Sequence, residues 1–166
     1  MNLVQLFSES FKNNDEVALL IVGDGPAKST IENYVYRNEI KNIILLGRLS
    51  SSKIPEALVA SDLGIILHPD EPRWRYQSPI KMIELLFMGK PVLASDLPGL
   101  RWIGANSLLV AYMRQSNPFV FKEELTKLIS NLERIEAEAI ETRQKMLERF
   151  SSESVALKLG HLIDSC

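Results

Sequence analysis

Four short apolar runs, each followed by a turn and then by a helical pattern, constrain the fold of this chain more than any other feature. They occupy residues 17–22, 42–46, 63–67 and 91–95. The first, Val17 to Val22, is continuous, short and β-branched at both ends. Such a run predicts a strand buried on both faces, as strands of parallel sheets are. Residues 42–46 predict a second buried strand. Between the runs, apolar residues recur at helical spacing: Ile31, Tyr34 and Val35 within 27–38, then Ile54, Ala57 and Leu58 within 53–60. The chain opens in a helix marked by Leu3, Leu6, Phe7, Ser10 and Phe11 and stopped by Asn13-Asn14-Asp15. A polar loop at 70–77 carries Trp74; a short helix or turn at 97–103 and a fifth strand at 107–112 follow. Alternating strands and helices predict an α/β fold with a parallel sheet and helices on both faces. Beyond residue 112 the pattern is purely helical. Phe121, Leu125, Leu128, Ile129 and Leu132 mark one helix, Ile135, Ala139, Met146, Leu147 and Phe150 a second, and Val155, Leu159, Leu162 and Ile163 a third. This predicts a domain over 1–132 and a helical C-terminal segment over 133–166. The alternating charges from Glu133 to Arg149 read as a solvated helix face.

The stretch from Ser78 to Asp96 is the centre of the pattern. Ser78 is placed to cap a helix and Pro79 suits its first turn. Ile80, Ile83 and Phe87 fill one flank, Met82, Leu85 and Leu86 the other, which predicts a buried helix. Gly89 ends it and Lys90-Pro91 opens the next strand. Lys81 and Glu84 break the pattern. A carboxylate on a buried helix needs a partner, and a free helix N-terminus beside a lysine suits a phosphate. The simpler alternative is a surface i,i+3 pair between the two. In a parallel sheet, ligands sit beyond the carboxyl ends of the strands. The loops there are 23–26, 47–52, 68–78 and 95–99, so Ser78, Lys81 and Glu84 fall at the expected crevice. Gly23-Asp24-Gly25-Pro26 reads as a plain turn rather than a phosphate loop.

Composition narrows the classes further. The chain has 166 residues, 46% apolar, with 19 basic and 21 acidic side chains and a net charge of −2. That balance gives no electrostatic footprint for nucleic acid. The one cysteine, Cys166, is the last residue, so no internal disulfide is expected, which fits a reducing, cytoplasmic setting. No apolar stretch is long enough to span a bilayer and no signal peptide is visible. His68 reads as a loop histidine and His161 as a surface one. No metal-ligand spacing is present.

Several motifs together resemble the C-terminal, donor-binding domain of retaining GT-B glycosyltransferases of group 1, similar to family 4. They are Leu20-Ile21-Val22-Gly23-Asp24-Gly25-Pro26, Ile44-Leu45-Leu46-Gly47-Arg48-Leu49, Ala60-Ser61-Asp62-Leu63-Gly64, the strand end at His68-Pro69, the Pro79–Asp96 block and Leu97-Pro98-Gly99-Leu100-Arg101. The resemblance implies a Rossmann-like half of a GT-B fold. It also implies a nucleotide diphosphate sugar as substrate, no metal and no further cofactor. Carried over by position, Glu84 matches the carboxylate that accepts hydrogen bonds from the ribose. Ser78, Pro79, Ile80 and Lys81 lie where backbone amides approach the diphosphate. Gly47, Arg48 and Leu49 match the loop against the base, and Gly23 the preceding turn. No catalytic residue is assigned from these motifs.

Three departures qualify the resemblance. Tyr76, followed by Gln77, stands where the family places an acidic residue, eight positions before Glu84, on the transferred sugar; Asp70 or Glu71 are the substitutes at hand. The family's domain begins with a strand followed by an Arg and a Lys that clamp the diphosphate, whereas Met1 here already lies in the first helix. The usual strand order makes that strand central. The N-terminal acceptor domain is also missing from these residues. The resemblance therefore implies a partner domain or a preceding part of a longer polypeptide, and a chain that does not catalyse transfer alone. The expected function is the donor-binding domain of a glycosyltransferase moving a hexosyl group to a glycan or lipid-linked acceptor, in the cytoplasm or peripheral to the inner membrane face. The alternatives are a non-catalytic nucleotide-sugar-binding or assembly module, supported by Tyr76, and half of a sugar-nucleotide epimerase, opposed by the Ser-Pro-x-Lys-x-x-Glu block.

Overall fold

The structure is a computed structural model that describes residues 3–114 and 117–157. The elements run α1 (Leu3–Phe11), β1 (Leu19–Val22), α2 (Lys28–Arg37), β2 (Ile43–Gly47), a 3-10 turn (Ser51–Lys53), α3 (Ile54–Val59), β3 (Gly64–Ile66), α4 (Pro72–Arg75), α5 (Ile80–Phe87), β4 (Val92–Ser95), α6 (Pro98–Gly104), β5 (Val110–Met113), α7 (Pro118–Ser130) and α8 (Leu132–Phe150). Residues 152–157 are helical; Leu159, His161, Leu162, Ile163 and Cys166 lie outside the described residues. The chain divides into two compact units, Met1–Ser61 with Met113–Thr126 and Asp62–Tyr112 with Lys127–Cys166. The strands form two sheets, β1-β2 and β3-β4-β5, where the sequence pattern predicts one.

In the first unit β1 and β2 pair in parallel, Leu19 with Ile43 and Ile21 with Leu45, with a register shift before Val22 meets Gly47. The aromatic core lies on α1. Phe7 and Phe11 sit 5.6 Å apart, and Phe11 meets Phe121 edge-on at 6.3 Å. Asn42 ties down the α1–β1 connection: its side-chain amide donates to the carbonyls of Phe11, Asn14 and Val17 at 2.7, 3.1 and 3.1 Å. The expectation that both strands are buried on two faces fails here. Ile44 and Leu46 are 46% and 44% exposed, and only Leu19 of β1 is buried. An edge strand of a two-stranded sheet buries alternate residues. Ile31, Tyr34 and Val35 on α2, and Ile54, Ala57 and Leu58 near α3, are likewise half-buried.

In the second unit the expectation of a strand buried on two faces holds for β4. Val92, Leu93, Ala94 and Ser95 are all buried, and β3 pairs with β4 in parallel from Gly64–Val92 to Ile66–Ala94. Over this sheet α5 buries Met82, Leu85 and Leu86. It is not apolar all round in its packing: Ile80 is 66% exposed and Lys81 and Glu84 also face solvent. Gly89 ends α5 as expected. Its φ is 70°, its N–H donates to Leu86 O at 3.0 Å, and Lys90 N–H donates to Leu85 O at 2.9 Å. These two bonds close a Schellman cap, which needs the left-handed backbone that glycine adopts freely. The polar loop at 70–77 contains α4, started by Pro72 at its first position.

Helix α8 packs on α5, and its charges are not all solvated. Arg143 Nε donates to Phe87 O at 2.9 Å. Arg149 donates to Ile103 O at 2.9 Å and to Trp102 O, with its guanidinium 5.1 Å over the Trp102 ring and 4.9 Å over that of Phe150. A cation here satisfies the orphan carbonyls at the C-terminus of α6.

The carboxyl ends of β3 and β4 are locked together. His68 N–H donates to Ser95 Oγ at 2.9 Å, and the Ser95 hydroxyl donates back to His68 O at 2.8 Å. The His68 ring packs on Trp74, centroids 4.9 Å apart. Burial, with a smaller contribution from the Lys81 charge, lowers the His68 pKa below 6.5. At the other end of this loop Gly99, in the first turn of α6, touches the backbone ahead of α5: a Cβ there would overlap Gln77 O and lie 2.8 Å from the Tyr76 carbonyl carbon.

Two predictions follow from this packing. Gly99→Ala pushes on backbone, which yields less readily than a side-chain tip, and should destabilise by about 1–3 kcal/mol. Gly25→Ala, with nothing within 4 Å of its Cβ, should stay within about 0.5 kcal/mol. Urea titrations of the two variants check both values. The second concerns pH. Folded His68 binds its proton less readily than the unfolded chain does, so unfolding takes up a proton as pH falls through 6.5. Unfolding free energy should drop on that side and hold above it. His68→Asn should flatten this step in urea titrations between about pH 5 and pH 8.

Candidate functional site

In the second unit the start of α5 carries the predicted residues. Packing fixes their direction: Met82, Leu85 and Leu86 face the core, Ile80 and Glu84 lie opposite, and Lys81 lies on the exposed flank. Ser78 does not cap the helix. Pro79, at φ −69° and ψ 122°, occupies the N-cap and no side chain bonds there. Proline has no N–H and a preset φ, so it can enter a helix without losing a bond. Met82 N–H donates to Pro79 O at 3.0 Å, which leaves the Ile80 and Lys81 amides of the first turn without an intrahelical acceptor, and exposed Ser78 stands in front of them. Neither Lys81 nor Glu84 has a hydrogen-bond or ion-pair partner among the described residues, so the i,i+3 surface pair does not form. An uncapped helix end with an exposed ammonium beside it suits an anion. A free carboxylate one turn later can accept two hydroxyl donors.

The neighbouring loop keeps its own acids engaged. Arg75 Nε lies 2.5 Å from Asp70 Oδ1, and Arg73 Nε 3.1 Å from Glu71 Oε2. Tyr76 is 78% exposed. Asp96, at the end of β4, is paired with Arg101, whose guanidinium lies 4.4 Å over the Tyr112 ring.

In the first unit Gly23, Gly47, Arg48 and Leu49 come together at the carboxyl ends of β1 and β2. Gly23 N–H donates to Gly47 O at 2.7 Å. Gly47 has φ 66°, and the space where its Cβ would stand is 3.9 Å from Lys28 Nζ. Asp24, Gly25 and Arg48 line an open cleft of about 510 Å³. Arg48 is exposed and without a polar partner among the described residues; Leu49 is half-buried. Asp24 and Lys28, 3.7 Å apart, are members of this cluster that sequence reasoning missed. Their i,i+4 spacing at a helix start was the available signal. Among the described residues no group of three His, Cys, Asp or Glu is placed to hold a metal, and no helix is long and apolar enough to cross a membrane.

The family model for glycosyl transferases group 1 matches residues 2–131. An uncharacterized glycosyltransferase of Methanocaldococcus jannaschii is 30% identical over 116 residues, covering 68% of this chain and 31% of that protein. A chitobiosyldiphosphodolichol beta-mannosyltransferase of Candida albicans is 30% identical over 94 residues, 55% of this chain and 20% of that one. The chain thus spans less than a third of the length of these curated relatives. Among solved structures, Anabaena HepE in complex with UDP and glucose superposes with a TM-score of 0.75 at 15% identity, covering 99% of this chain and 44% of that one. The fold is therefore the Rossmann-like half of a GT-B glycosyltransferase, and the chain belongs to the glycosyl transferases group 1 family.

Proposed function

We propose that this chain is the donor-binding domain of a glycosyltransferase that moves a hexosyl group from a nucleotide diphosphate sugar to a glycan or lipid-linked acceptor. The observation that carries the reading is the unpaired Lys81 and Glu84 on the open face of an uncapped helix, just beyond the carboxyl end of β3. Both charges face solvent, and neither side chain has a hydrogen-bond or ion-pair partner among the described residues. In this reading Glu84 accepts the ribose hydroxyls. Lys81 and the N–H groups that follow Pro79, those of Ile80 and Lys81, hold the diphosphate, with Ser78 and Pro79 lying in front of them. Gly47, Arg48 and Leu49, with the Gly23 turn, take the base. The transition state carries positive charge on the sugar and growing negative charge on the departing diphosphate. An ammonium and oriented amides at that oxygen favour departure without reorganising. The acceptor would come from a domain or chain beyond these residues, consistent with relatives more than twice as long. A position at the inner membrane face goes with a lipid-linked acceptor.

A second reading, a nucleotide-sugar-binding or assembly module without turnover, draws on exposed Tyr76 at the position the family gives to an acid. Binding separates these from a chain with no donor site. In calorimetric titrations of UDP, GDP and ADP and their sugars, at least one nucleotide should bind. Glu84→Ala should weaken it about tenfold or more, the value of a lost hydrogen bond to a charged group, and Lys81→Ala should do the same. Equal affinity in Glu84→Ala would remove the ribose role, and no binding by any nucleotide would remove the donor reading. Turnover by the chain completed with its acceptor domain then decides between enzyme and module.

A further inference from the structure

The cleft at the ends of β1 and β2 holds one carboxylate, Asp24, and one guanidinium, Arg48. Each has unused bonding capacity. Arg48 has no polar partner among the described residues. Asp24 faces Lys28 at 3.7 Å, an ion pair too long to be a hydrogen bond, so its oxygens remain free to accept. The Gly23–Gly47 bond fixes the two strand ends side by side at 2.7 Å, and Asp24 and Arg48 each follow directly on one of those glycines. That bond places the Asp24 and Arg48 backbones next to each other at the mouth of the cleft.

We infer that this cleft selects guanine as the base of the donor nucleotide. The inference rests on the donor-binding reading above and names which nucleotide it takes. Guanine offers two adjacent donors, N1–H and N2–H₂, and two adjacent acceptors, O6 and N7. A carboxylate meets the first pair and a guanidinium the second, each through two bonds. Uracil offers a single N3–H flanked by carbonyl oxygens, which a carboxylate repels. Adenine presents an unprotonated N1 on the same edge. The carboxylate is thus the discriminating group: guanine offers it two adjacent donors, whereas uracil and adenine offer one donor beside an acceptor.

The test uses calorimetric titration of the 166-residue chain with GDP, UDP and ADP. GDP should bind tightest, by about tenfold to a hundredfold, the discrimination a bidentate pair supplies. Asp24→Asn, an exposed and nearly isosteric change, keeps one acceptor and turns an N–H₂ toward guanine. It should lower GDP affinity and leave UDP and ADP nearly unchanged. Arg48→Ala should weaken GDP more than UDP. Circular dichroism and a urea titration establish that both variants fold. Equal affinity for the three nucleotides, or tighter UDP or ADP, overturns guanine selection and leaves the donor site standing. A GDP preference that survives Asp24→Asn overturns the role of Asp24. Failure of all three nucleotides to bind overturns the donor site and this inference with it.

Discussion

Met82, Leu85 and Leu86 lie at 0, 6 and 0% exposure along one flank of α5, and the rest of the second unit's candidate site depends on that burial. Each such side chain contributes about 1.5–3 kcal/mol when removed from water. An exposed ion pair contributes about 0.2–1 kcal/mol. The rotation of the helix about its own axis is therefore decided by the three apolar residues, and Lys81 and Glu84 follow. With successive residues a hundred degrees apart, Glu84 falls on the opposite arc and Lys81 on the flank between it and Leu85. The same burial costs Ile80, left 66% exposed. Gly89 and α8 hold the far end of the helix: a Cβ on Gly89 would stand 2.8 Å from that of Ala139. The core thus aims the charges, with no polar contact between them and the protein needed to do so.

What the sequence discloses follows from how local each cause is. Gly89 was legible because a Schellman cap is made within a few residues of the glycine. Lys81 and Glu84 were legible because charge inside an apolar helical stretch is conspicuous. Burial on one face or two was not legible, since a continuous apolar run reads the same in β4 and in β2. Only the neighbours differ: β4 lies between β3 and β5, whereas β2 has β1 on one edge. The Ser78 cap failed for a competing local reason, because Pro79 already meets the backbone demand of the N-cap. Arg149 read as one charge in a solvated row, and its role on the α6 carbonyls depends on residues 46 and 47 positions away. Asp24 and Lys28 were passed over because an i,i+4 pair is the commonest arrangement of such charges.

The loop before α5 shows why ion pairs in a resting structure are weak evidence against a binding role. Asp70 and Glu71 are each held by an arginine, Arg75 and Arg73. The partners are half exposed or more, with side-chain exposures of 50% and 62% in the first pair and 71% and 50% in the second. At that exposure each pair is worth under about 1 kcal/mol, less than a good hydrogen bond to a charged group gains. The backbone beneath them is firmer: Ser95 clamps His68, Trp74 covers the His68 ring, and Gly99 abuts the carbonyl of Gln77. The loop combines a fixed frame with loosely held acids. That combination lets a neutral, exposed Tyr76 occupy the position before the helix without removing acid from its surroundings.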